Sequence, residues 1–532
     1  MDTTIEFANT TLSVSAEELR ETRDYIQLGG ARVSISLPQP PRRYLRHGWQ
    51  SWSLAAWTEA APLPIQQPRL MHAMQTDPVY AAENSPHGSW YGAVELEDGQ
   101  VLLLGALGLE THVRLNGNRL EGWSEAGPVE WMLACGAESS VFADYADLLG
   151  ERLGRAEGKS APRVWCSWYS LYTAIDESLL NRTFDELGDL PFDVLQVDDG
   201  WQVAVGDWQA NGKFPSDMSA LAARIKSTGR GAGLWLAPLI AVESSRLFRE
   251  HPDWFLKDGQ GGHVSAGFNW GEPLYALDTT HPAALDWLAD LMKQVREWGF
   301  DYLKLDFLYA GALPGKRHVD LPREAAYRQG LKLLREGMGL DAYFLTCGAP
   351  ILPTLGLCDA LRIGPDVAGV WESHRDAVLL YNPTTPGTKN AIRTCLHRLW
   401  LAPIVQPDPD VAYFAARGNS LAAEHKQMIQ DLALVCNFRA TSDLPQWLTE
   451  GERDSLRAFL RDRHKPAQTD RYTFKIGKRS VDFSSATPLP APPQGLEAAH
   501  AALIGWLGSQ PWALRLLDGL SRKQLEQLKR DL

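Results

Sequence analysis

Two acidic residues, Asp306 and Asp366, each follow a basic residue at a spacing that suits nucleophilic or acid–base chemistry. Lys304 and Asp306 are two positions apart in the apolar segment 300–307, and alternate side chains of a strand share one face. A neighbouring ammonium group lowers the pKa of a carboxyl group, so Asp306 would stay ionised and able to attack an electrophilic carbon. A buried structural ion pair is the alternative interpretation.

Arg362 and Asp366 flank a Gly-Pro turn that can direct the second carboxylate back across a cleft. Arg362 should lower the pKa of Asp366, whereas an anionic Asp306 should raise it until Asp306 becomes covalently bound. A group whose proton affinity changes in this way can serve first as an acid and then as a base. An ordinary salt bridge in a loop is the alternative.

Two adjacent acidic residues, Asp198 and Asp199, lie in a sequence that is rich in tryptophan. In an exposed turn these two residues would simply be solvated, but beside indole rings they can accept hydrogen bonds from sugar hydroxyls. The chain has 20 Trp residues, and a flat indole face suits the apolar face of a sugar ring. Several of them stand beside Gly, Asp or Ser: Trp49, Trp52, Trp168, Trp201 and Trp235. Carbohydrate is therefore the first substrate class to consider.

The elements that must position these residues alternate between short apolar runs and amphipathic segments. Six runs are strand candidates: 164–168, 192–197, 233–239, 300–307, 343–347 and 360–363. Helices are predicted between them, one from Thr280-His281-Pro282 onwards and another over 322–337. Repeated βα units predict an α/β fold with a (β/α)8 TIM barrel over 160–460, or alternatively a doubly wound sheet. In a TIM barrel the active site lies at the carboxyl ends of the strands, where the acidic residues fall.

Different patterns flank the predicted barrel. Residues 1–155 alternate in hydrophobicity and contain an Asp98-Gly99 turn, which predicts an N-terminal β-sandwich with one short helical stretch near 16–24. Residues 465–532 predict a small C-terminal region made of a hairpin over 472–483, a proline-rich linker and a helical tail. That tail could serve for docking or for contact within a homo-oligomer.

Composition excludes several function classes. The net charge of −13 disfavours nucleic acid as a partner. No signal peptide or membrane-spanning run is recognisable, and the six scattered cysteines are typical of reduced thiols, so we expect a cytoplasmic enzyme with no membrane partner. The 13 His residues show no metal-binding spacing, and the only P-loop-like segment, 154–160, is one residue short. We therefore expect no metal and no cofactor.

Five segments together resemble glycoside hydrolase family 36, the family of α-galactosidases. They are Val197-Asp-Asp-Gly-Trp201, Phe214-Pro-Ser-Asp-Met218 with Gly233-Leu-Trp-Leu-Ala-Pro238, Tyr275-Ala-Leu-Asp278 with His281-Pro282, Phe300-Asp-Tyr-Leu-Lys-Leu-Asp306, and Arg362-Ile-Gly-Pro-Asp366. Their order and spacing make the resemblance specific, and it covers about residues 30–460.

The resemblance implies a retaining α-galactosidase that acts on α-galactoside oligosaccharides, with Asp306 as nucleophile and Asp366 as acid/base. It also implies the substrate-binding residues: Asp198 and Asp199 for the axial O4 and the O6 of galactose, Lys304, Cys347 and Arg362 around the O2 to O4 edge, and Trp168, Tyr169 and Trp235 as aromatic walls. Gly348, next to Cys347, is expected among the substrate-binding residues as well. A tryptophan of the N-terminal sandwich should cover the site, either Trp49 or Trp52. The chain departs from the family pattern at Trp165-Cys-Ser-Trp168 and in its helical C-terminal tail.

Three other functions fit parts of the pattern. A transglycosylase of the raffinose-synthase kind would use the same catalytic pair and pass galactose to a sugar. An α-N-acetylgalactosaminidase would need more room at C2. A carbohydrate-binding protein without turnover would not need the two carboxylates.

Overall fold

The computed structural model describes residues 2–7, 10–63, 72–156, 158–373 and 382–530. The strands are β1 (Asp2–Phe7), β2 (Thr10–Ser15), β3 (Glu18–Glu21), β4 (Ile26–Gly30), β5 (Arg32–Ser36), β6 (Arg43–His47), β7 (Ala55–Glu59), β8 (His87–Ser89), β9 (Tyr91–Glu95), β10 (Val101–Ala106), β11 (Thr111–Asn116), β12 (Arg119–Ser124), β13 (Val129–Gly136), β14 (Arg163–Cys166), β15 (Val194–Val197), β16 (Gln202–Ala204), β17 (Asp207–Ala210), β18 (Gly231–Leu236), β19 (Ile240–Val242), β20 (Ser265–Asn269), β21 (Glu272–Ala276), β22 (Tyr302–Leu305), β23 (Tyr343–Thr346), β24 (Ala360–Arg362), β25 (Gln406–Asp408), β26 (Arg439–Thr441), β27 (Ala467–Asp470), β28 (Thr473–Ile476) and β29 (Arg479–Asp482). The α-helices are α1 (His72–Gln75), α2 (Glu138–Leu153), α3 (Trp168–Leu171), α4 (Glu177–Glu186), α5 (Asp217–Ser227), α6 (Arg246–Glu250), α7 (Pro282–Trp298), α8 (Arg323–Met338), α9 (Ile351–Thr354), α10 (Thr388–Leu396), α11 (Ala423–Val435), α12 (Glu450–Arg461), α13 (Leu496–Leu507) and α14 (Pro511–Arg530).

The N-terminal part is a β domain built on strands β1 to β13, which form one continuous 13-stranded sheet. Alternate residues of strand β10 face opposite ways: Leu102 and Leu104 pack into the core of this domain, whereas Val101 and Leu103 join the larger core shared with the rest of the chain. The helical stretch predicted near 16–24 is wrong, because β3 pairs there with β4 in an antiparallel ladder. Pairing with a neighbouring strand outweighed the local acidic pattern.

Eight parallel strands make the barrel in the order β14, β15, β18, β22, β23, β24, β25 and β26. The first strand also pairs with the eighth, Val164 opposite Ala440. Ala412, in the segment that follows the seventh strand, donates its N–H to the Ala440 carbonyl oxygen at 2.8 Å and so connects that segment to the eighth strand. The predicted barrel is confirmed. Its six strands predicted from apolar runs are present, but β25 and β26, three residues each, were too short and polar to be recognised.

Helices α7 and α8 cover the barrel where the sequence predicts them. Helix α7 begins with Pro282, whose fixed φ suits the first turn, and ends at Gly299 with φ of 95° in the left-handed region. Its buried stripe consists of Ala284, Leu288, Leu291, Met292 and Val295. The 3.6-residue period of apolar side chains therefore determined which face packs on the strands.

The N-terminal β domain contacts the barrel through buried polar groups as well as apolar ones. The indole nitrogen of Trp49 donates to Oε1 of Glu324 at 3.0 Å, and Arg323 forms a bidentate pair with Asp77 at 2.8 and 2.6 Å. Both barrel residues stand in the first turn of α8. These contacts fix residues 48–53 of the β domain beside the barrel.

The C-terminal region consists of the three-stranded sheet β27–β28–β29 and the helices α13 and α14. Arg393 of α10 donates to the carbonyl oxygens of Thr487 and Pro488 and so holds the start of the linker. Several large apolar side chains of the tail are about half exposed or more: Leu496, Leu503, Trp506, Trp512, Leu516, Leu517 and Leu520. Over the described residues, no helix combines the length and the apolarity needed to cross a membrane. The domain bounds stay predictions.

Candidate active site

The acidic residues converge on one cavity at the carboxyl ends of the barrel strands. Its volume is about 200 Å³, which suits a single sugar ring. The described residues that line it are Trp52, Met74, Gln75, Trp168, Asp198, Asp199, Trp235, Asn269, Trp270, Lys304, Asp306, Phe307, Pro365, Asp366, Thr384 and Pro386. Among the described residues no group of three His, Cys, Asp or Glu side chains could hold a metal ion. The lining combines carboxylates with indole rings and so suits a polyhydroxylated ligand.

Asp306 stands directly after strand β22 and is held by two neutral donors. The indole nitrogen of Trp235 donates to Oδ2 at 3.1 Å, and the backbone N–H of Phe307 donates to Oδ1 at 2.9 Å. Trp235 comes from the neighbouring strand β18, whose register places it opposite Lys304. Both oxygens of Asp306 are therefore oriented by neutral donors, and no cation of the described residues forms an ion pair with it, which leaves the carboxylate nucleophilic.

Asp366 follows strand β24 and is the most exposed of the acidic side chains at the cavity, with 34% of its side chain accessible. Its Oδ1 accepts a hydrogen bond of 3.1 Å from Nη1 of Arg362. The pKa of Asp366 is raised because the cleft restricts hydration of the carboxylate, because Asp306 is an anion nearby, and despite the opposing charge of Arg362. The sequence predicts the opposite effects of Arg362 and Asp306 on this pKa. Desolvation, the largest effect, makes the net shift upward.

Arg362 also pairs with two acidic residues that the sequence analysis missed. Its Nε donates to Asp408 at 3.1 Å, and its two terminal nitrogens bind Asp410 at 2.8 and 2.9 Å. Asp410 in turn accepts hydrogen bonds from the Tyr169 hydroxyl and, at 3.0 Å, from the N–H of Val367. Burial raises the pKa of Asp410 against the effect of Arg362. This network fixes the backbone beside the acid/base candidate.

Asp408 and Asp410 belong to the end of the seventh strand, β25. The sequence Gln406-Pro-Asp-Pro-Asp410 has no apolar run of strand length, so no strand was predicted there. The signal that could have found them is the same as for the other sites, because two acidic residues follow Ile404 and Val405 at the end of an expected βα unit.

Asp198 is a buried carboxylate that forms an ion pair with a buried cation. Nζ of Lys304 donates to its Oδ2 at 3.0 Å, and Nε2 of Gln196 donates to the same oxygen at 2.6 Å. Lys304 was predicted to pair with Asp306; its hydrogen bond goes to Asp198, although the charges of both carboxylates raise the pKa of Lys304 against desolvation. Asp198 follows β15, which is separated from β22 by β18, so spacing along β22 could not show this partner.

Two neutral side chains among the described residues donate hydrogen bonds to Asp199. Nε2 of Gln202 donates to Oδ1 at 2.5 Å and the indole nitrogen of Trp270 donates to Oδ2 at 2.7 Å. Burial raises the pKa of Asp199 to about 6, and the neighbouring Asp198 adds to the effect. The turn after this pair requires glycine, since Gly200 has φ of 115° and a Cβ there would lie 2.9 Å from the Cα of Thr173.

Two aromatic residues of the lining have backbone conformations that L-residues seldom adopt. Trp270, in the hairpin between β20 and β21, has φ of 53°, and Phe307, directly after Asp306, has φ of 54°. Their rings are 5.3 Å apart. Non-glycine residues in this region are strained and concentrate at functional sites. Trp270 was not predicted, because the hairpin that carries it was not.

Of the two tryptophans predicted to cover the site, Trp52 lines the cavity and Trp49 does not. The benzo edge of Trp52 lies against Gly348, where a Cβ would come within 3.0 Å of Cη2, and its ring meets Phe307 edge-on at 5.2 Å. The structure therefore places Trp49 outside the lining of this cavity: it is buried, and its indole nitrogen donates to Glu324.

The remaining predicted residues divide into two groups. Trp168 and Trp235 line the cavity, as predicted for aromatic walls. Within the part of the chain that the structure describes, Tyr169, Cys347, Gly348 and Arg362 are outside the lining. Tyr169 and Arg362 act on the network around Asp366, Gly348 makes room for Trp52, and Cys347 is fully buried with the pKa of its thiol raised by desolvation.

Comparison with known proteins places this geometry in a family. The melibiase family model matches residues 138–340. Curated relatives match locally: α-galactosidase 1 of Pediococcus pentosaceus is 29% identical over 33% of this chain and 26% of its own length, and the α-galactosidase of Escherichia coli is 27% identical over 39% of this chain and 30% of its own. The chain thus matches about a quarter to a third of the length of these two relatives.

Solved structures match over much more of the chain. The α-galactosidase TtGalA of Thermus thermophilus, in complex with p-nitrophenyl α-D-galactopyranoside, is 44% identical with a TM-score of 0.87, over 91% of this chain and 100% of its own. The family 36 α-galactosidase AgaA of Geobacillus stearothermophilus is 16% identical with a TM-score of 0.56, over 85% of this chain and 66% of its own, and shares the fold. Because the match to the Thermus thermophilus enzyme is 44% identical and covers all of that chain, this chain belongs to the melibiase family, the α-galactosidases of glycoside hydrolase family 36.

Proposed function

We propose that this protein is a retaining α-galactosidase that releases terminal α-linked galactose from oligosaccharides. The observation that carries the proposal is the presence of Asp306 and Asp366 in the lining of one sugar-sized cavity, with Asp198 and Asp199 beside them. The Thermus thermophilus enzyme, 46% identical over 86% of this chain, was solved with stachyose, which supports a galactosyl oligosaccharide as substrate here.

The first step is proposed as attack of Asp306 on the anomeric carbon. Trp235 and the Phe307 amide hold the carboxylate, while Asp366 donates its proton to the leaving glycosidic oxygen. The raised pKa of Asp366 supports this role, since an acid catalyst must hold its proton near the working pH. The products of this step are a covalent galactosyl-enzyme and the released alcohol.

In the second step Asp366 removes a proton from water, which attacks the galactosyl-enzyme and restores the α configuration. Once Asp306 is an ester it carries no charge, so the repulsion that raised the pKa of Asp366 is gone and Arg362 stabilises the carboxylate. The same side chain then acts as a base. Two inversions give overall retention.

Hydroxyl recognition is proposed for Asp198, Asp199 and Lys304. The two hydrogen bonds that Asp199 accepts from described side chains come from neutral groups, so its carboxylate can accept strong hydrogen bonds from two sugar hydroxyls. Lys304 supplies a donor beside it. Trp52, Trp168, Trp235 and Trp270 supply the aromatic walls.

The test is a hydrolysis assay on p-nitrophenyl α- and β-glycosides and on stachyose, with proton NMR of the first product. Release of α-galactose from the α-galactosides supports the proposal. A first product in the β configuration would exclude retention. A preference for the α-N-acetylgalactosaminide would identify the enzyme as an α-N-acetylgalactosaminidase. Transfer of galactose to added sucrose in preference to water would identify a transglycosylase, and the absence of any turnover would leave a binding protein.

We also propose a reducing cellular compartment for this enzyme. All six cysteines are free thiols, and five of them are buried; unpaired cysteines are typical of proteins kept away from oxidising compartments. Fractionation of the native host with an antibody against the protein is the measurement. Homo-oligomer formation stays a prediction, which light scattering on the purified protein would test.

A further inference from the structure

We propose that Arg398 is a positioning residue that fixes Trp52 over the sugar site by holding the tryptophan loop, residues 48–53, against the segment that leads to Asp366. The proposal rests on the α-galactosidase function above. It concerns a residue outside the cavity, two positions after helix α10.

Arg398 is fully buried, and its five N–H groups contact six neutral acceptors, with the two on Nη2 shared among three carbonyl oxygens. Nη1 and Nη2 donate to the carbonyl oxygens of the tryptophan loop: Ser51 at 2.6 Å, Gly48 at 3.1 Å, Gln50 at 3.0 Å and Ser53 at 3.0 Å. The other two acceptors lie outside the loop, His47 directly before it and Ile363 in the barrel. Nη1 donates to the Ile363 carbonyl oxygen at 3.0 Å and Nε donates to Nε2 of His47 at 3.3 Å.

A guanidinium group is suited to this place for a geometric reason. The tryptophan loop turns its carbonyl oxygens towards one point, and buried carbonyl groups need donors. The planar fork of arginine reaches several acceptors at fixed directions, whereas a lysine ammonium offers three donors from one nitrogen. Desolvation lowers the pKa of Arg398 to about 10, so the group is still a cation at neutral pH.

His47 completes the arrangement as an acceptor. Its Nδ1 lies 3.3 Å from the Ser89 carbonyl oxygen and so must carry the proton, which leaves Nε2 free to accept from Arg398. Burial and the charge of Arg398 both lower the pKa of His47, so the ring is neutral. The ring also stacks on Tyr91 at 4.4 Å, which fixes its orientation.

The two sides held by Arg398 carry the parts of the site that must meet on the substrate. The tryptophan loop carries Trp52, whose ring lines the cavity. Ile363 lies between Arg362, which binds the acid/base candidate, and Asp366 itself. One side chain therefore joins the β-domain wall of the cavity to the barrel segment that delivers the proton.

The first experiment compares Arg398→Lys with Arg393→Lys. Both arginines are fully buried, but Arg393 binds Thr487, Pro488 and Asn390 instead of the tryptophan loop, so it is a matched control for the loss of a buried guanidinium. We expect kcat/KM on stachyose to fall on the order of 10- to 100-fold in Arg398→Lys through a misplaced wall, mainly as a rise in KM. Arg393→Lys should lower Tm and leave kcat/KM within about twofold.

The second experiment places Arg398→Lys in a double-mutant cycle with Trp52→Ala. If Arg398 acts through Trp52, the double variant should lose no more of kcat/KM than Trp52→Ala alone. Multiplying losses, or an unchanged kcat/KM in a folded Arg398→Lys, would overturn the proposal. A wild-type protein without galactosidase activity would refute the proposed function and leave the third measurement intact.

The third measurement uses the unmodified protein, in case Arg398→Lys does not fold. Native-state hydrogen exchange should show that the Ser51 and Ser53 amides exchange only through global unfolding. Their protection should equal that of the amides of strand β22, because Arg398 holds the tryptophan loop in the core. Exchange of these amides through local opening at low denaturant would show a mobile loop and contradict the proposal.

Discussion

The indole nitrogen of Trp235 lies 3.1 Å from Oδ2 of Asp306 and donates a hydrogen bond to it. With the Phe307 amide on the other oxygen, this contact aims the carboxylate without neutralising it. Since Trp235 also lines the cavity, one side chain both orients the proposed nucleophile and forms a wall for the sugar.

Replacing Asp306 with Asn should abolish turnover and preserve the fold. The amide has the same shape but cannot form the glycosyl ester, so we expect kcat to fall by at least about 10³-fold. The measurement is hydrolysis of p-nitrophenyl α-galactoside alongside thermal unfolding. Asp193→Asn, at the exposed ion pair with Arg163, is the control and should keep wild-type activity. Substantial turnover in Asp306→Asn would contradict the nucleophile assignment.

The effect of removing the acid catalyst should depend on the leaving group. In Asp366→Ala, kcat/KM should fall about 10²- to 10⁴-fold on stachyose, because the leaving alkoxide needs a proton. It should fall far less on a dinitrophenyl galactoside, whose leaving group departs without one at the first step. The wild-type kcat/KM should fall as pH rises through the raised pKa of Asp366, and this basic limb should vanish in the variant. Equal losses on both substrates would exclude the role.

Asp199 should make stability depend on pH in the direction opposite to an ordinary aspartate. Its pKa in the folded state is about 6, above the value of about 3.9 for an unperturbed Asp, so the protonated form favours folding. This contribution is complete below about pH 4 and is lost as pH rises through 6, a change of about 3 kcal/mol.

Asp199→Asn tests this linkage. The unfolding free energy of wild type minus that of the variant, from urea titrations between pH 4 and 7, should fall with rising pH. Sugar binding should follow the reverse course, with KM rising below pH 6 as the acceptor is protonated. A difference that does not change with pH would refute the raised pKa.

Gly348→Ala should impair substrate binding more than its backbone strain explains. A Cβ at Gly348, with φ of 53°, would lie 3.0 and 3.1 Å from two ring atoms of Trp52, so the indole must move away from the wall. Gly117→Ala is the matched control, because Gly117 has φ of 61° and open space around its Cβ.

Both variants should lose about 1–2 kcal/mol of stability from the left-handed backbone. Only Gly348→Ala should raise KM on stachyose, measured beside thermal unfolding of each protein. A similar KM in the two variants would show that Trp52 does not need this position.

Several features of the protein were determined by short-range patterns in the sequence. Continuous apolar runs ending in polar residues predicted the barrel strands that carry Asp198, Asp306 and Asp366, because a buried parallel strand and its exposed end differ over a few residues. Helix α7 was predicted as readily, since its Pro start, Gly end and apolar stripe are all local.

Tertiary structure decided which partner each polar group has. Lys304 binds Asp198, which follows another strand, and Arg362 binds Asp410, which follows the adjacent strand β25, so spacing along one segment could show neither. Trp52 lines the cavity, whereas Trp49 binds Glu324, which is 275 residues further along the chain. Even the pKa of Asp366 follows from desolvation in the cleft, a property that exists only once distant segments have closed around it.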